Sequence, residues 1–363
     1  CAVHVNHGLS DNADQWQGHA EAFCGSLGVK LHCETVAVSA GSEGIEAAAR
    51  EARYSVFERL LDKGGLLLLG HHADDQVETV LYRLLRGSGV KGLSGIPATR
   101  SIAKGQLIRP LLAWQKSALR TYADQHKLSW IEDESNGENT FDRNYLRNQV
   151  IPEIAARWPD HTQRIGHSAR LSQETAELLA ALAEEDLQRL NPVLERGGWS
   201  LCLVAFAALP VARQKNILRQ WPGIHELPLP GRKIIDEIMS TLVLAREDAS
   251  PKVQCQGMQW ARFRNRLYLL RPEAPFNADN SKLTWQLDQP MLLADGSRLV
   301  AEKALGQGLC LKSNQSLRVG TRHGGERCQP AGRQHSNSLK KLFQEFNLEP
   351  WWRDRIPLLY RGE

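Results

Sequence analysis

The segment Leu66-Leu-Leu-Leu-Gly-His-His-Ala-Asp-Asp-Gln-Val-Glu-Thr79 predicts a short strand that is followed directly by a helix. The uninterrupted apolar run over 66–70 is typical of a parallel strand that is buried on both faces. The helix is predicted over 73–85, and carboxylates in its first turn suit the positive end of its dipole. Two histidines, two aspartates, a glutamate and a threonine therefore fall within nine residues, where a strand ends and a helix begins.

The preceding chain repeats this alternation of strand and helix. Strands are predicted over 2–6 and 29–36, and helices over 11–27 and 45–61. The alternation predicts an α/β domain over residues 1–156, built on a doubly wound and mostly parallel sheet. In such sheets ligands bind at the carboxyl ends of the strands, so the side chains just after each strand are the first candidates for a site.

The side chains that follow the strand at 66–70 combine acids with histidine. Asp74 and Glu78 are four residues apart on one helix face, as are Asp75 and Thr79. Carboxylate oxygens are hard ligands of the kind that Mg²⁺ prefers, so Asp74 and Asp75 are the predicted metal ligands. The alternative is a set of helix caps and solvated side chains. The HExxH pattern of zinc proteases is absent from the sequence.

Two further segments carry residue types that suit phosphate. Arg86-Gly-Ser-Gly89 opens a glycine-rich run in which the backbone can approach a ligand closely, although a flexible loop fits the same pattern. Arg143 and Arg147 lie one helical turn apart, and their forks of donors can converge on one anion. An ordinary solvated helix face is the alternative for this pair. It is also the alternative for Glu46 and Arg50, a favourable i,i+4 pair.

The pattern changes after residue 156. A connecting helix is predicted over 157–195, followed by a helical domain over 196–272 that ends in paired strands over 253–270. A small α+β domain is predicted over 283–363 after a polar linker. The last domain is basic: from residue 312 to residue 355 there are nine Lys or Arg and four Asp or Glu, a net charge of +5. Basic residues interleaved with Trp suit a nucleic acid backbone, and a partner-protein surface is the alternative.

Composition places the chain among ordinary globular proteins. Its 363 residues exceed one core and indicate two or three domains. The longest apolar runs are far too short to span a bilayer, so no membrane contact is expected. The seven cysteines form no CxxC pair, which disfavours a zinc ribbon or a disulfide framework and favours free thiols in a reducing cytosol. A net charge of +4 and a pI of about 8.7 hint at a polyanionic partner.

Together these motifs resemble the tRNA(Ile)-lysidine synthetases, which are N-type ATP pyrophosphatases of the PP-loop superfamily. In the catalytic half they follow that family's order, and they are His4-Val-Asn-His-Gly-Leu9, Glu46-Ala-Ala-Ala-Arg-Glu-Ala-Arg-Tyr54, His72-Ala-Asp-Asp-Gln-Val-Glu-Thr79, Arg86-Gly-Ser-Gly89, Glu132-Asp-Glu-Ser-Asn136 and Arg143-Asn-Tyr-Leu-Arg147. The tail is similar to the family's C-terminal domain in Gly324-Gly-Glu-Arg327, Ser338-Leu-Lys-Lys-Leu342 and Pro350-Trp-Trp-Arg-Asp-Arg-Ile-Pro357. The resemblance covers nearly the whole chain and implies an adenine nucleotide alpha hydrolase-like fold.

The resemblance implies a two-step reaction on the CAU anticodon of isoleucine tRNA. ATP first adenylates the carbonyl oxygen at carbon 2 of the wobble cytidine, with release of pyrophosphate. The ε-amine of L-lysine then attacks that carbon and expels AMP. ATP and Mg²⁺ are the implied cofactors, the cytoplasm is the implied compartment, and a homodimer is left open.

The resemblance also carries three groups of residues over to this chain. The implied catalytic residues are His72, Asp74, Asp75, Glu78, Asp133, Asn136, Arg143 and Arg147. Of these, His72, Asp74, Asp75 and Glu78 would lie by the ATP, Mg²⁺ and lysine pockets. Asp133 and Asn136 would help position the lysine or the base, and the two arginines would stabilise the adenylated intermediate. The implied ATP-side residues are His4, Asn6, His7, Thr79, Arg86, Gly87 and Gly89. The implied tRNA-binding residues are Arg322, Arg327, Arg333, Lys340, Lys341, Arg353 and Arg355.

Two departures from the family's pattern concern the ends of the sequence. The SGGxDS pyrophosphate loop, expected on a strand before Cys1, is absent, and family members run on beyond Glu363. We expect an encoded segment upstream of Cys1 to carry that loop. Without the loop, a protein of this literal sequence is expected to lack ATP-dependent activity.

Three alternatives stay open on the sequence. A tRNA thiolase of the same superfamily would need paired cysteines, and no CxxC is present. A non-catalytic tRNA-binding protein would fit the absent loop, but it would not need the acids at Asp74, Asp75 and Glu78. A metal-dependent hydrolase built on the 71–75 cluster would leave the basic tail without a role.

Overall fold

The computed structural model describes residues 1–38, 44–137, 139, 141–246, 249–271, 283–293, 296–305, 308–310, 316–330 and 333–360. The chain forms two compact units, Cys1–Leu178 and Leu179–Glu363. The linker predicted before residue 283 lies outside the described residues, as does the side chain of Glu46.

The first unit alternates strands and helices, as predicted. Its strands are β1 (Ala2–Asn6), β2 (Leu31–Thr35), β3 (Leu66–Leu68), β4 (Thr99–Ile102) and β5 (Gly105–Ile108). Its helices are α1 (Ala13–Ser26), α2 (Ile45–Leu60), α3 (Ala73–Leu85), α4 (Val90–Leu93), α5 (Lys116–Gln125), α6 (Asp142–Tyr145), α7 (Ile151–Arg157) and the first part of α8 (His161–Leu190). A 3-10 turn spans Glu134–Gly137, and a π-helical turn at Leu146–Val150 joins α6 to α7.

Strand pairing in this unit confirms the predicted α/β class. β1 pairs with β2 in parallel, and β3 pairs with β5 in parallel. β4 is antiparallel to β5, so the two form a hairpin. Within the described residues these strands form two separate sheets, of two and three strands, rather than one.

The core of the first unit corrects one prediction about β3. Leu107 and Phe57 are buried, and Leu67 and Leu69 pack against them. Leu66 and Leu68 are 61% and 62% exposed, so the prediction that this strand is buried on both faces was wrong. Successive side chains of a strand point to opposite faces, and among the described residues only the face with Leu67 is packed.

The start of α3 follows from its sequence. His72 has an extended backbone and precedes the first helical residue, Ala73. The Asp75 carboxylate turns back and accepts a hydrogen bond from the His72 backbone N–H at 2.8 Å, which is one half of a capping box. Val77 and Val80 then bury the inner face of the helix. This cap places the acidic residues at the carboxyl end of β3.

The second unit contains an antiparallel sheet flanked by helices. Its sheet has the order β6-β7-β10-β9-β8, with β6 (Val193–Glu195), β7 (Gly198–Cys202), β8 (Lys252–Cys255), β9 (Met258–Phe263) and β10 (Arg266–Leu270). Its helices are the rest of α8, then α9 (Leu203–Ala207), α10 (Val211–Ile224) and α11 (Arg232–Ile238), which a π-helical turn at Met239–Val243 extends. Trp221, Trp260 and Phe206 fill the core between the sheet and the helices. The region 196–272, predicted as a helical domain, thus contains four strands of this sheet as well as helices. β8, β9 and β10 fall in the predicted strand segment 253–270, and β7 was not predicted.

The basic end of the chain is built from short strands and one helix. The strands are β11 (Leu283–Trp285), β12 (Met291–Leu292), β13 (Arg298–Leu299), β14 (Leu317–Gly320), β15 (Arg327–Cys328), β16 (Asn337–Ser338) and β17 (Leu358–Tyr360), and the helix is α12 (Leu339–Glu345). Trp285, Leu293 and Val319 form its small core. The Ser338 hydroxyl caps α12 by accepting a hydrogen bond from the Lys341 backbone N–H.

Candidate catalytic site

The centre of the candidate site is an ion pair between α3 and the helical segment that follows α6. The Glu78 carboxylate is buried, and Arg147 approaches it with two donors: Nε lies 2.6 Å from Oε1 and Nη2 lies 2.8 Å from Oε2. Nη1 of Arg147 donates to Asn136 Oδ1 at 2.7 Å. A bidentate Arg–carboxylate pair is strong and geometrically specific, so Glu78, Asn136 and Arg147 hold one another in place.

Arg143, one helical turn before Arg147, also approaches Glu78 and contacts the next residue of α3, Thr79. Its Nη2 atom lies 3.9 Å from Glu78 Oε2 and 3.4 Å from Thr79 Oγ1. The predicted convergence of Arg143 and Arg147 is therefore observed, but the anion on which they converge in this structure is Glu78. The π-helical turn at Leu146–Val150 carries Arg147, and such turns are frequent at functional sites.

Asp74 links α3 to the start of α5. Its Oδ2 atom accepts a hydrogen bond from the Lys116 backbone N–H at 2.8 Å and lies 3.5 Å from His72 Nδ1. The contact with His72 and the Lys116 N–H lower the pKa of Asp74, although its partial burial opposes them. The Asp74 contact in turn raises the pKa of His72. Asp74 is therefore ionised near neutral pH, beside a histidine that is easily protonated.

Two cavities adjoin these residues, and they share the side chains of His72, Lys116 and Asn136. The first, of about 330 Å³, is also lined by Asp74, Val77, Glu78, Arg147, Ile151 and His161. The second, of about 410 Å³, is also lined by Leu119, Arg120, Ala123, Trp130, Ile131, Glu132 and Asp133. The fold thus gathers His72, Asp74, Glu78, Asn136 and Arg147 around one space and places Asp133 in the adjacent one.

A third cavity brings Asp75 together with Arg53 and Tyr54, which were not among the predicted site residues. It has a volume of about 320 Å³, and Arg53, Tyr54 and His71 line it together with Asp75. Burial first, and then the charge of Arg109, lowers the pKa of His71. The sequence motif that contains Arg53 also fitted an ordinary solvated helix, so the position of Arg53 in a cavity was not predicted.

Tyr54 lies among arginines in this cavity. The guanidinium carbons of Arg50 and Arg100 lie 4.8 Å and 4.9 Å from the centroid of its ring. Burial alone would raise the pKa of Tyr54, but Arg50, Arg100 and Arg109 together lower it. Arginine side chains therefore surround Tyr54 at the edge of this cavity, and Arg53 lines the cavity itself.

Apart from Thr79, which lies beside Arg143, the predicted ATP-side residues fall into two places. Asn6 ends β1, where it is buried and accepts a hydrogen bond from the Gly8 backbone N–H at 2.9 Å. Burial first, and then the charge of Arg53, lowers the pKa of the neighbouring His7. Arg86 lies at the far end of α3, with Gly87 and Gly89 just beyond it, about 18 Å from Asp74 by helix geometry. There Arg86 donates to the Tyr82 hydroxyl at 3.0 Å and does not line the cavities near Asp74. His4 lies within β1, partly exposed.

The predicted metal ligands, Asp74 and Asp75, are adjacent hard carboxylates. One oxygen of each already accepts a backbone hydrogen bond at a helix start. No cluster of three His, Cys, Asp or Glu that could hold a metal ion occurs in the described part of the chain. Mg²⁺ commonly binds through one or two carboxylates and completes its shell with phosphates and water. Asp74 lines the first cavity and Asp75 the third, so each offers one carboxylate of the kind that such an ion uses.

The predicted tRNA-binding residues of the tail differ in their surroundings. Arg333 pairs with Glu345 at 2.6 Å, and Arg322 lies 3.4 Å from Asp354. Arg327 and Arg353 donate to backbone carbonyl oxygens of the tail, and the guanidinium carbon of Arg355 lies 5.7 Å from the Trp352 ring centroid. Lys340 and Lys341 are exposed on α12 and form no salt bridge with a described residue. Lys312, which was counted in the basic tail, lies outside the described residues.

Models of known protein families match three segments of the chain. Residues 1–154 match the family model described as PP-loop domain. Residues 201–268 match the TilS substrate binding domain, and residues 317–363 match the TilS substrate C-terminal domain. No helix among the described residues is both long and apolar enough to span a membrane.

Full-length relatives agree with these models. The chain is 40% identical over 365 residues to the tRNA(Ile)-lysidine synthase of Coxiella burnetii (strain RSA 493 / Nine Mile phase I), covering 100% of this chain and 80% of that protein. It is 41% identical over 364 residues to the tRNA(Ile)-lysidine synthase of Serratia proteamaculans (strain 568), covering 99% and 81%. Because this similarity extends across both units, and because the acidic and arginine residues of the family's motifs meet in one site, the chain belongs to the tRNA(Ile)-lysidine synthase family.

Proposed function

We propose that this protein uses ATP to join L-lysine to carbon 2 of the wobble cytidine in the CAU anticodon of isoleucine tRNA. The observation that carries the proposal is the meeting of Glu78, Asn136 and Arg147 beside Asp74, in a cavity of about 330 Å³. Acids for an amine and arginines for a phosphate are thereby within reach of one reaction centre.

The first step requires the site to neutralise phosphate charge. The carbonyl oxygen at carbon 2 of cytidine attacks the α-phosphorus of ATP, and pyrophosphate leaves. That oxygen is a poor leaving group by itself, but once adenylated it can depart as part of AMP. We assign to Arg143 and Arg147 the stabilisation of the charge on the transferred adenylate. Asp74 and Asp75 would hold Mg²⁺, which would supply further neutralisation of phosphate charge.

The second step requires the site to bind an amine and remove a proton from it. The lysine ε-amine attacks carbon 2, the bond from that carbon to the adenylate oxygen breaks, and AMP departs. Asp74 lines the cavity as a carboxylate that would attract the lysine ammonium group, whereas Glu78 lines it as the partner that holds Arg147. The amine loses its proton before or during attack, and an ionised carboxylate at this position can accept it.

Substrate delivery is assigned to the rest of the chain. We propose that the exposed Lys340 and Lys341 on α12 contact the tRNA backbone, because their charges are not offset by a salt bridge within the described residues. We also propose that the enzyme acts in the cytoplasm. Its seven cysteines are all free, as expected of a reducing compartment.

A specific observation favours ligation over thiolation. Among the described residues, those that line the three cavities of the first unit include no cysteine. A thiolase would carry its sulfur on cysteine side chains close to the activated base. The non-catalytic alternative is disfavoured because it gives no role to the cavity that Asp74, Glu78 and Arg147 line together.

The test is lysidine formation by the full-length enzyme. Purified enzyme is incubated with ATP, Mg²⁺, L-lysine and a transcript of isoleucine tRNA that carries the CAU anticodon. Digestion to nucleosides and mass spectrometry should show one cytidine replaced by lysidine, with one pyrophosphate released per lysine incorporated. A methionine tRNA transcript with the same anticodon serves as the matched control. Pyrophosphate release without lysine incorporation at any lysine concentration would overturn the proposal.

A further inference from the structure

We propose that the second unit holds a pocket for one unpaired nucleotide of an RNA, between the outer face of its five-stranded sheet and the segment 350–355. The inference rests on the proposed function, since the RNA would be the tRNA substrate. The pocket is a cavity of about 710 Å³, lined from the turn between β8 and β9, the end of β10 and the segment 350–355. Such a volume lies within the range of about 300–1,000 Å³ that is typical of small-molecule sites.

The alternation of β8 points polar groups into this cavity. Val253 and Cys255 turn inward to the core, so Lys252 and Gln254 lie on the outer face. Gln254 is directly opposite Gln259 of β9, which places both amides side by side. A carboxamide both donates and accepts hydrogen bonds, as the edge of a base or a ribose hydroxyl requires.

An aromatic side chain in a fixed position lines the same cavity. The Trp351 ring packs edge-on against Tyr268 and Phe263, with centroid distances of 5.0 Å and 6.3 Å. Burial raises the pKa of Tyr268 to about 12, so this support is neutral and apolar at physiological pH. Bases stack on such aromatic platforms in sites for single-stranded nucleic acid.

The charges around the cavity favour an anion. Lys252 Nζ lies 5.7 Å from the centroid of the Trp351 ring, and Arg355 lines the cavity beside it. The one acid in the lining, Asp354, lies 3.4 Å from Arg322, which offsets its charge. A phosphate can therefore bind to Lys252 and Arg355 while its base meets the aromatic and amide groups.

A second tryptophan extends this positive surface. The guanidinium carbons of Arg196 and Arg355 lie 5.5 Å and 5.7 Å from the centroid of Trp352. The Trp352 indole N–H donates to the Arg196 carbonyl oxygen at 3.2 Å, so the two segments are tied together. Cations and indoles with adjacent glutamines match a nucleotide better than an acidic peptide, which would need the cations alone.

This pocket differs from the set of basic tail residues that were predicted to bind tRNA. Of the seven tail residues predicted to bind tRNA, only Arg355 lines this cavity, and Lys252 and Gln254 lie about a hundred residues earlier in the chain. The sheet brings them to the tail, so the pocket is formed by both the substrate binding segment and the C-terminal segment of the family.

The test compares two double variants of the full-length enzyme. Lys252→Ala with Gln254→Ala removes two groups of the pocket. Lys233→Ala with Gln188→Ala is the matched control, because it removes the same types of exposed side chain elsewhere in this unit. The probes are a fluorescently labelled single-stranded RNA tetranucleotide and a blunt RNA duplex of twelve base pairs. The pocket variant should bind the tetranucleotide about tenfold more weakly than the control variant, and the two should bind the duplex alike.

A second readout locates the probe without relying on the pocket variant. The enzyme is labelled with 5-fluorotryptophan, and the Trp351 resonance is assigned as the one lost in Trp351→Phe. The tetranucleotide should shift that resonance, whereas inorganic phosphate should not do so at the same concentration. If the resonance stays in place, or both double variants bind the tetranucleotide equally, the nucleotide pocket is wrong. If an oligoglutamate shifts the resonance at lower concentration than the tetranucleotide does, the site is one for an acidic protein segment instead.

Lysidine formation by the parent enzyme is measured on the same preparation. Its absence would refute the proposed function, whereas the tetranucleotide results bear on the pocket alone. The two failures are therefore distinguishable.

Discussion

Arg147 and Glu78 are 69 residues apart in the chain, and they form a two-pronged ion pair with N···O distances of 2.6 Å and 2.8 Å. Only 3% of the Glu78 side chain is exposed, against 32% for Arg147. The buried carboxylate is thus held by a cation that also contacts Asn136 and lines the cavity. This relationship makes Arg147 both a stabilising residue and a candidate catalytic residue.

Replacing Arg147 should therefore affect stability and activity together. Arg147→Ala leaves the Glu78 carboxylate without its main partner, so we expect a loss of about 1–3 kcal/mol in the free energy of unfolding. Lysidine formation should fall by about 100-fold or more, as when a donor to a developing anion is removed. Chemical denaturation and single-turnover lysine incorporation measure the two effects. Arg157→Ala, an exposed position in α7, is the control. Near-normal lysidine formation by Arg147→Ala would remove Arg147 from the site.

Asp75→Ala should separate the capping role from the chemical role. The Asp75 carboxylate caps α3 through the His72 N–H, so we expect a loss of about 1 kcal/mol in stability. If Asp75 also binds Mg²⁺ or lysine, lysidine formation should fall by far more than this loss explains. Asp75→Asn keeps an acceptor for the cap but lacks the charge, and it should restore most of the stability and little of the activity. Recovery of activity in Asp75→Asn would show that the residue has only a capping role.

Charge reversal at Lys340 and Lys341 should weaken tRNA binding and spare ATP binding. Both side chains are exposed on α12, and each lost phosphate contact should reduce the slope of log K against log salt by about 0.9. We expect affinity for the tRNA transcript to fall about tenfold or more at physiological salt. Lys233→Glu with Lys303→Glu makes the same charge change at other exposed positions. Unchanged tRNA affinity in the α12 variant, measured by filter binding, would refute the assignment.

A single methyl group at Gly198 should destabilise the second unit. A Cβ atom there would lie closer than 3.0 Å to the carbonyl oxygen of Leu269 on the neighbouring strand β10. Because both partners belong to the sheet backbone, we expect Gly198→Ala to cost about 1–3 kcal/mol in thermal or chemical unfolding. Gly166→Ala, in α8, meets no atom within 4 Å and should stabilise its helix by about 0.5–1 kcal/mol. An unchanged unfolding midpoint for Gly198→Ala would contradict the close approach of these two strands.

Local patterns in the sequence were sufficient for the elements of the first unit from β1 to α3, but the β4–β5 hairpin and α5 were not predicted. The helix predicted over 73–85 begins and ends at those residues, because its cap, its dipole and its apolar spacing agree. The motifs that carry Asp74, Glu78 and Arg147 could also be found from residue type and spacing. The sequence could not show that Arg147 binds Glu78, since that contact depends on how two distant helices pack.

Other features depended on distance in the chain and escaped prediction. The exposure of Leu66 and Leu68 depends on which face of β3 is covered, and a run of identical apolar residues carries no information about that. β7 escaped prediction, because a buried strand lacks the alternation that identifies a strand, whereas β8, β9 and β10 fall in the segment 253–270 that was predicted as paired strands. The sequence likewise did not separate Arg333, which is paired with Glu345, from the exposed Lys340.

The sequence by itself determined the α/β class, the caps and helices around the acidic motif, and the family. Each of these follows from interactions between neighbours in the chain or from motifs that can be read in order. Tertiary structure alone decided that Arg147 neutralises Glu78, that Arg53 and His71 share a cavity with Asp75, and that Lys252 meets Trp351. Those pairings join residues far apart in the chain, and they arise only when packing of the apolar faces brings the polar side chains together.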